Sequence, residues 1–235
     1  MTETLQPRTL CVDIGGTGIK VLVVDPAGEP LGERLREKTP QNATPEAVVE
    51  TIAELAARAG GYDRVSVGFP GVIKHGVVHT APNLDGHWPG YEIDRVQEQR
   101  LGKPVLTEND AAVQGLAAVS GKGLEMVATL GTGLGAALYL DGRLAAGFEI
   151  AHHLFRKDRT YEDCLGKAGL KKYGVARWNK YVRRAIANWE NLFHYDRLYL
   201  GGGNAELVEQ PLPPNVEIAS NLNGLLGGIA LWRSR

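Results

Sequence analysis

The sequence predicts an α/β protein of two similar lobes with a central cleft between two mixed sheets, and three observations carry that prediction. A glycine turn joins two apolar strands in Val12-Asp13-Ile14-Gly15-Gly16-Thr17-Gly18-Ile19-Lys20-Val21-Leu22-Val23-Val24-Asp25. The pattern returns in the second half as Val127-Ala128-Thr129-Leu130-Gly131-Thr132-Gly133-Leu134-Gly135-Ala136-Ala137-Leu138-Tyr139-Leu140-Asp141-Gly142, with Thr17-Gly18-Ile19 matching Thr132-Gly133-Leu134. Strand-like and helix-like periodicities alternate through the rest of the 235 residues, a length that can bury one large core or two smaller ones. Duplication places residues 1–111 in the first lobe, which a C-terminal helix at 222–235 is expected to join, and residues 112–221 in the second.

The first glycine segment is a hairpin. A P-loop or a dinucleotide fingerprint needs a helix after its glycines, whereas Val21, Val23 and Val24 are β-branched and continue a strand. Without a Cβ, Gly15, Gly16 and Gly18 let backbone N–H groups approach an anion, and Thr17 adds a hydroxyl. Asp13, at the strand end, is suited to hold a magnesium ion or its water shell, and Lys20 is expected near a phosphate bound there. Gly131, Thr132 and Gly133 form the equivalent turn, so a nucleotide or phosphate chain is expected between the halves. The chemistry these features suggest is phosphoryl transfer.

Between the hairpins, Thr44-Pro45-Glu46 offers an N-cap, a proline at the first helical position and an acid in the first turn, and predicts a helix over 44–58 with Val48, Ile52, Leu55 and Ala56 inward. A strand is predicted over 65–69, a small strand pair at 72–73 and 77–78 turning at Lys74-His75-Gly76, another strand at 105–107, and a helix from 110 to 119. In the second half, Trp178, Tyr181, Val182, Ala185, Ile186, Trp189, Leu192 and Phe193 make one apolar face of a helix over 175–194. A strand over 197–200 leads through Gly201-Gly202-Gly203 to a helix near 205–209. The glycines Gly224, Gly227 and Gly228 suit a final helix packed backbone-close.

Composition sets the class. Hydrophobic residues at 43% and charged residues at 23% are ordinary for a globular chain, and a formal net charge of -1 argues against a general nucleic-acid binder. The balance is uneven, with ten Lys/Arg against three Asp/Glu between Arg156 and Arg184. Cys11 and Cys164 are too few for a disulfide scaffold or a four-cysteine metal site, and Cys11 reads as a small apolar strand residue. The N-terminal residues lack the regions of a signal peptide and no apolar run reaches membrane-spanning length, so a cytoplasmic protein without membrane partners is expected.

Six motifs then occur in an order that resembles ROK-family sugar kinases: Asp13-Ile14-Gly15-Gly16-Thr17, Gly68-Phe69-Pro70-Gly71, Glu108-Asn109-Asp110-Ala111, Leu130-Gly131-Thr132-Gly133-Leu134-Gly135, Glu149-Ile150-Ala151-His152 and Gly201-Gly202-Gly203. The resemblance covers most of the chain and implies the two-lobed actin-like/ribonuclease H-like sugar kinase fold. Gly18-Ile19-Lys20 and the compact length look most like the polyphosphate glucokinases of that family.

The resemblance implies Asp110 as the base that accepts a sugar hydroxyl proton, with Asn109 binding a hydroxyl beside it; for an isolated Asn-Asp pair, helix capping would be the reading. It implies Glu149 and His152 as sugar ligands, Gly202 and Gly203 as donor-binding, and Asn83 as part of the segment over the sugar, where a plain turn residue is the alternative. Relatives bind zinc through this histidine and a CxCGxxGC motif; that motif is missing here, so no zinc is expected. Glu162 is the one glutamate in the replacing segment, and Ala112 stands where relatives carry Asn or Asp.

The implied activity is a glucokinase using polyphosphate, ATP or both with magnesium, in a homodimer. A strictly ATP-dependent hexokinase and a non-catalytic sugar sensor are the alternatives. The sensor is disfavoured because the first hairpin begins by about residue 10, where repressors of the family carry a DNA-binding segment. The basic stretch, Arg156, Lys157, Arg159, Lys167, Lys171, Lys172, Arg177, Lys180, Arg183 and Arg184, is either a polyphosphate track or a solvated helix face.

Overall fold

The computed structural model describes residues 7–82, 84–219 and 227–233, and the chain divides into two compact units, Met1–Ala117 with Asn223–Arg235 and Ala118–Leu222. The first unit contains β1 (Thr9–Gly15), β2 (Gly18–Val24), β3 (Leu35–Glu37), α1 (Pro45–Arg58), β4 (Arg64–Phe69), β5 (Ile73–Lys74), β6 (Val77–Val78), α2 (Ile93–Leu101), β7 (Val105–Asn109) and α3 (Asp110–Leu116). Its sheet runs β3-β2-β1-β4-β7; β2 is antiparallel to both its neighbours, while β1, β4 and β7 are mutually parallel.

Local chemistry explains the framework. Thr44 caps α1 by accepting the Ala47 N–H at 3.4 Å, Pro45 occupies its first turn, and Val48, Ile52, Leu55 and Ala56 face a core built on Leu10, Val12, Ile14, Val65, Val67 and Phe69. The opposite face of β1 carries Cys11, buried with Leu22 and Val24. Burial pushes the Cys11 thiol up to about 12, which leaves it a packing residue.

The second unit repeats the plan with β8 (Leu124–Leu130), β9 (Leu134–Leu140), β10 (Arg143–Gly147), β11 (Leu154–Arg156), β12 (Arg159–Thr160), α4 (Tyr161–Leu165), α5 (Lys167–Tyr173), α6 (Val175–Phe193), β13 (Arg197–Gly201) and β14 (Val216–Ile218). Its sheet order is β10-β9-β8-β13-β14, with the same sequence of two antiparallel and two parallel pairings as the first. The duplication is thus topological. The turns differ by one residue: Gly15 pairs with Gly18 in the first hairpin, and Leu130 with Leu134 in the second.

Three expectations about elements change. The helix predicted to Val119 ends at Leu116, because the N–H groups of Ser120, Gly121 and Lys122 turn onto the Glu125 carboxylate at 2.8–3.2 Å. Leu192 lies on the apolar stripe of α6 yet is 64% exposed: periodicity identifies a face, not how far along it the core reaches. The helix expected at 205–209 is a single 3₁₀ turn, Ala205–Leu207, because buried Asn179 donates to the Leu207 carbonyl and accepts the Glu209 N–H, drawing the chain out of the helix.

The last element is α7 (Gly227–Arg233), which packs on α3, β4 and β1 of the first unit. A Cβ at Gly227 would lie 1.7 Å from the Val113 carbonyl oxygen, Ser66 donates to the Gly228 carbonyl at 2.6 Å, and Trp232 donates to Ser66 at 2.9 Å. Gly224 and the start of the predicted 222–235 helix lie outside the described residues. No helix among the described residues is long and apolar enough to cross a membrane.

Glu125 is buried. Burial raises its pKa, but N–H donors from Ser120 and Gly121 and the Tyr199 hydroxyl outweigh burial and hold it below the ordinary carboxylate value of 4.5. Its ionised form therefore stabilises the fold above that value, and the contribution is lost as pH falls through the folded-state pKa. We expect Glu125→Gln to lower stability by about 2 kcal/mol at neutral pH, with the gap to wild type closing as pH falls below 4.5, read from thermal melts across pH.

Candidate active site

Site residues of the first unit gather at the carboxyl ends of its parallel strands. Asp13 ends the polar row of β1, and its carboxylate accepts from the Lys20 ammonium directly across the hairpin at 2.7 Å. Gly68 is opposite Asp13 on β4, and Glu108 opposite Gly68 on β7. A Cβ at Gly68 would lie 3.5 Å from the Asp110 Cα, so the start of α3 lies over β4 at the residue paired with Asp13.

The corner between β7 and α3 separates two roles that the sequence leaves open. Asn109 is the N-cap: its Oδ1 accepts the Ala112 N–H at 3.2 Å, and its Nδ2 donates to the Gly71 carbonyl at 3.1 Å. Asp110 is therefore in the first turn rather than at the cap. One of its oxygens accepts the Ala111 N–H at 2.8 Å. Ala112, fully buried, contributes its N–H to the cap and no side-chain polar group. Asn83 lies outside the described residues.

The turn of the first hairpin is held open from one side. Thr39 donates its hydroxyl to the Gly15 carbonyl at 2.5 Å, and Arg36 on β3 donates to the Thr17 carbonyl at 3.4 Å. Sequence reading missed both residues. A three-residue strand has no periodicity to announce it, so nothing local marks Arg36 as a neighbour of the glycines.

In the second unit, Gly131, Thr132, Gly133, Gly202 and Gly203 come together. Asn204 donates to the Gly131 carbonyl at 3.0 Å, and Gly202, at φ +85°, fits against the backbone of Leu130. The α4–α5 junction closes over the same turn: the Lys167 N–H reaches the Gly131 and Thr132 carbonyls at 3.0 and 3.2 Å. Glu162 on α4 accepts the Leu134 N–H at 3.2 Å, so its carboxylate stands against the Gly133 turn. Glu149 precedes and His152 ends the 3₁₀ turn Ile150–His152, which packs on β9 and α4; the His152 Nε2 and Glu149 Oε2 atoms are 3.8 Å apart and both side chains are accessible to a ligand.

The basic stretch is spread over β11, β12, α5 and α6 and the turn between the two strands. Among the described residues, only Arg183 of its ten cations has a carboxylate within 4 Å, Glu209 at 3.2 Å. Arg156 and Arg177 both donate to the Tyr181 hydroxyl, at 3.3 and 3.1 Å, Arg177 lies over Tyr173, and Arg184 over Phe155. Aromatic faces position these guanidinium groups without neutralising them.

No three His, Cys, Asp or Glu residues gather as a metal cage among the described residues. Asp13 is a single, largely buried carboxylate, and this suits a magnesium ion whose other ligands are phosphate oxygens and water.

Fold and site define a two-domain sugar kinase of the actin-like class. Residues 9–158 match the ROK family, and the chain belongs to it. The chain is 35% identical over 219 residues to a polyphosphate glucokinase of Mycobacterium tuberculosis (strain CDC 1551 / Oshkosh), covering 89% of this chain and 83% of the relative. The crystal structure of an inorganic polyphosphate/ATP-glucomannokinase from Arthrobacter sp. strain KM superposes with a TM-score of 0.82 at 34% identity, over 95% of this chain and 96% of that one. A ROK family glucokinase from Streptomyces griseus, solved with glucose and AMPPNP, shares the fold at 22% identity and a TM-score of 0.75, over 95% and 97% of the two chains.

Gly71 offers a test of the corner. A Cβ there would lie 1.9 Å from the Thr80 carbonyl oxygen, a backbone atom that cannot step aside alone. Gly71→Ala is expected to cost about 2 kcal/mol or more in a thermal or denaturant melt. Because the Gly71 carbonyl also receives Asn109, turnover should fall further than the melt alone explains, measured well below the melting point.

Proposed function

We propose that this chain is a glucokinase that transfers a phosphoryl group from polyphosphate, ATP or both to the 6-hydroxyl of glucose, with Asp110 as general base. The observation that carries the reading is the division of labour at the β7–α3 corner: Asn109 caps the helix, and Asp110 stands in its first turn over Gly68, the β4 residue paired with Asp13. Kinship with polyphosphate glucokinase and with a polyphosphate/ATP-glucomannokinase supports the donor and sugar classes.

In this reading Asp110 accepts the hydroxyl proton as the sugar oxygen bonds to phosphorus and the donor P–O bond breaks. Asn109, Glu149 and His152 orient the sugar, with Glu149 and His152 offering an acceptor and an imidazole to adjacent hydroxyls. The turns at Gly15, Gly16, Thr17 and Gly18 and at Gly131, Thr132 and Gly133 hold the donor, with Lys20, Gly202 and Gly203. Asp13 would hold magnesium, largely through water; the ion supplies charge neutralisation to the donor phosphates. The cations between Arg156 and Arg184 that lack carboxylate partners favour a long polyanion as one donor. A cytoplasmic homodimer is the assembly this family membership supports, and sedimentation of the full chain reads its size.

The test supplies magnesium and a panel of hexoses with ATP or polyphosphate separately and measures sugar phosphate. Asp110→Asn should lower kcat by about 100- to 10,000-fold with the glucose KM little changed; unchanged turnover would remove Asp110 as the base. Polyphosphate-dependent turnover should weaken with added salt more steeply than ATP-dependent turnover, and equal salt slopes would remove the basic stretch as a track.

A further inference from the structure

The β3 strand places a cation at the first glycine turn that no motif contains. Asp13, Lys20 and Arg36 are cross-strand partners in one row over β1, β2 and β3, so their side chains share a face of the sheet. Within that row Lys20 and Asp13 neutralise each other at 2.7 Å. Arg36 has no carboxylate within 4 Å among the described residues, and its chain neighbour Glu37 is taken by Arg58 at 2.7 Å. On these three strands the cation of the row left without a carboxylate at hand is therefore the Arg36 guanidinium.

That guanidinium leans along the strand towards the turn. It donates one N–H to the Thr17 carbonyl at 3.4 Å and lies over Gly18, where a Cβ would fall 2.6 Å from Nε and 2.9 Å from Nη2. Gly18 is not among the glycines with left-handed backbone. The absent side chain leaves the space that the guanidinium fills. A planar fork of N–H donors, oriented by a carbonyl and facing a turn of exposed backbone, matches the oxygens of a condensed phosphate.

We propose that Arg36 is a ligand of the donor phosphate chain, seated in the space left by Gly18 and binding oxygens of the phosphoryl donor at the β1–β2 turn. The proposal rests on the reading of that turn as donor-binding. Polyphosphate and nucleotide donors share the chemistry, and they are the two arms of the test.

The full chain, Arg36→Ala and Arg36→Lys are compared first by calorimetric titration with tripolyphosphate, without sugar, and then by kinetics with polyphosphate and with ATP. Arg36→Ala is expected to weaken tripolyphosphate binding and lower kcat/KM for the donor by about 10- to 100-fold, with the glucose KM within twofold and the melting temperature unchanged. Arg36→Lys should recover only part of the loss, since an ammonium keeps the charge without the fork. Gly18→Ala should reproduce the loss in the wild-type background and add little to Arg36→Ala, because both remove the same seated group. Binding and donor kcat/KM within twofold of wild type in Arg36→Ala would overturn the proposal while leaving the kinase reading intact. An equal Gly18→Ala loss in both backgrounds would overturn it too. If wild type forms no sugar phosphate with either donor, the kinase reading falls and tripolyphosphate binding alone decides Arg36: weaker binding by the variant supports it, and equal or absent binding by both overturns it.

Discussion

The amide of Asn109 is the interaction on which the first half of the site depends. One end holds the first turn of α3 through Ala112, the other holds the Gly68-Phe69-Pro70-Gly71 loop through the Gly71 carbonyl. A single side chain thus ties the ends of two parallel strands to the helix that follows one of them. Gly71 closes against the Thr80 carbonyl, so this loop has little freedom to move away. Asp110 inherits its position from those constraints, and its carboxylate accepts the N–H of Ala111.

Both units place their polar groups by the same rule. Parallel strands end together, and the loops leaving their carboxyl ends converge while the antiparallel hairpin adds a turn alongside. In the first unit this collects Asp13, the glycine turn, Gly71 and Asp110; in the second it collects Gly131, Gly202 and the α4–α5 junction. The charges differ. The first turn is lined by a matched Asp13–Lys20 pair and an unmatched Arg36, whereas the second receives the Glu162 carboxylate on its Leu134 N–H. Two similar hairpins therefore present different electrostatic faces, a cation at one turn and a carboxylate at the other.

Much of the framework was legible because it is written in short-range patterns. The strands of both hairpins, α1 with its Thr44 cap, β4, β7 and α6 follow from alternation, capping and helical spacing. The ordered motifs brought Asp13, Asn109, Asp110, Glu149, His152 and the glycines to attention. Less was legible where a distant or buried partner overrides local preference: Asn179 unwinds the expected helix at 205–209, and Glu125 ends α3 early by collecting the next three N–H groups. The small elements β3, β11, β12, α4 and α5 are too short for periodicity to reveal. Arg36, Thr39 and the contact of Glu162 with the second turn belong to that group.

Sequence alone determined that this chain has two hairpins with glycine turns, that a strand rather than a helix follows each, and that an Asn-Asp pair begins a helix after a parallel strand. Those features depend on residues adjacent in the chain, where backbone propensity and side-chain period decide. Tertiary structure decided which member of Asn109-Asp110 caps the helix, that Lys20 spends its charge on Asp13, and that Gly18 makes room for Arg36. These depend on strand register and on loops meeting at a sheet end, which no local pattern encodes.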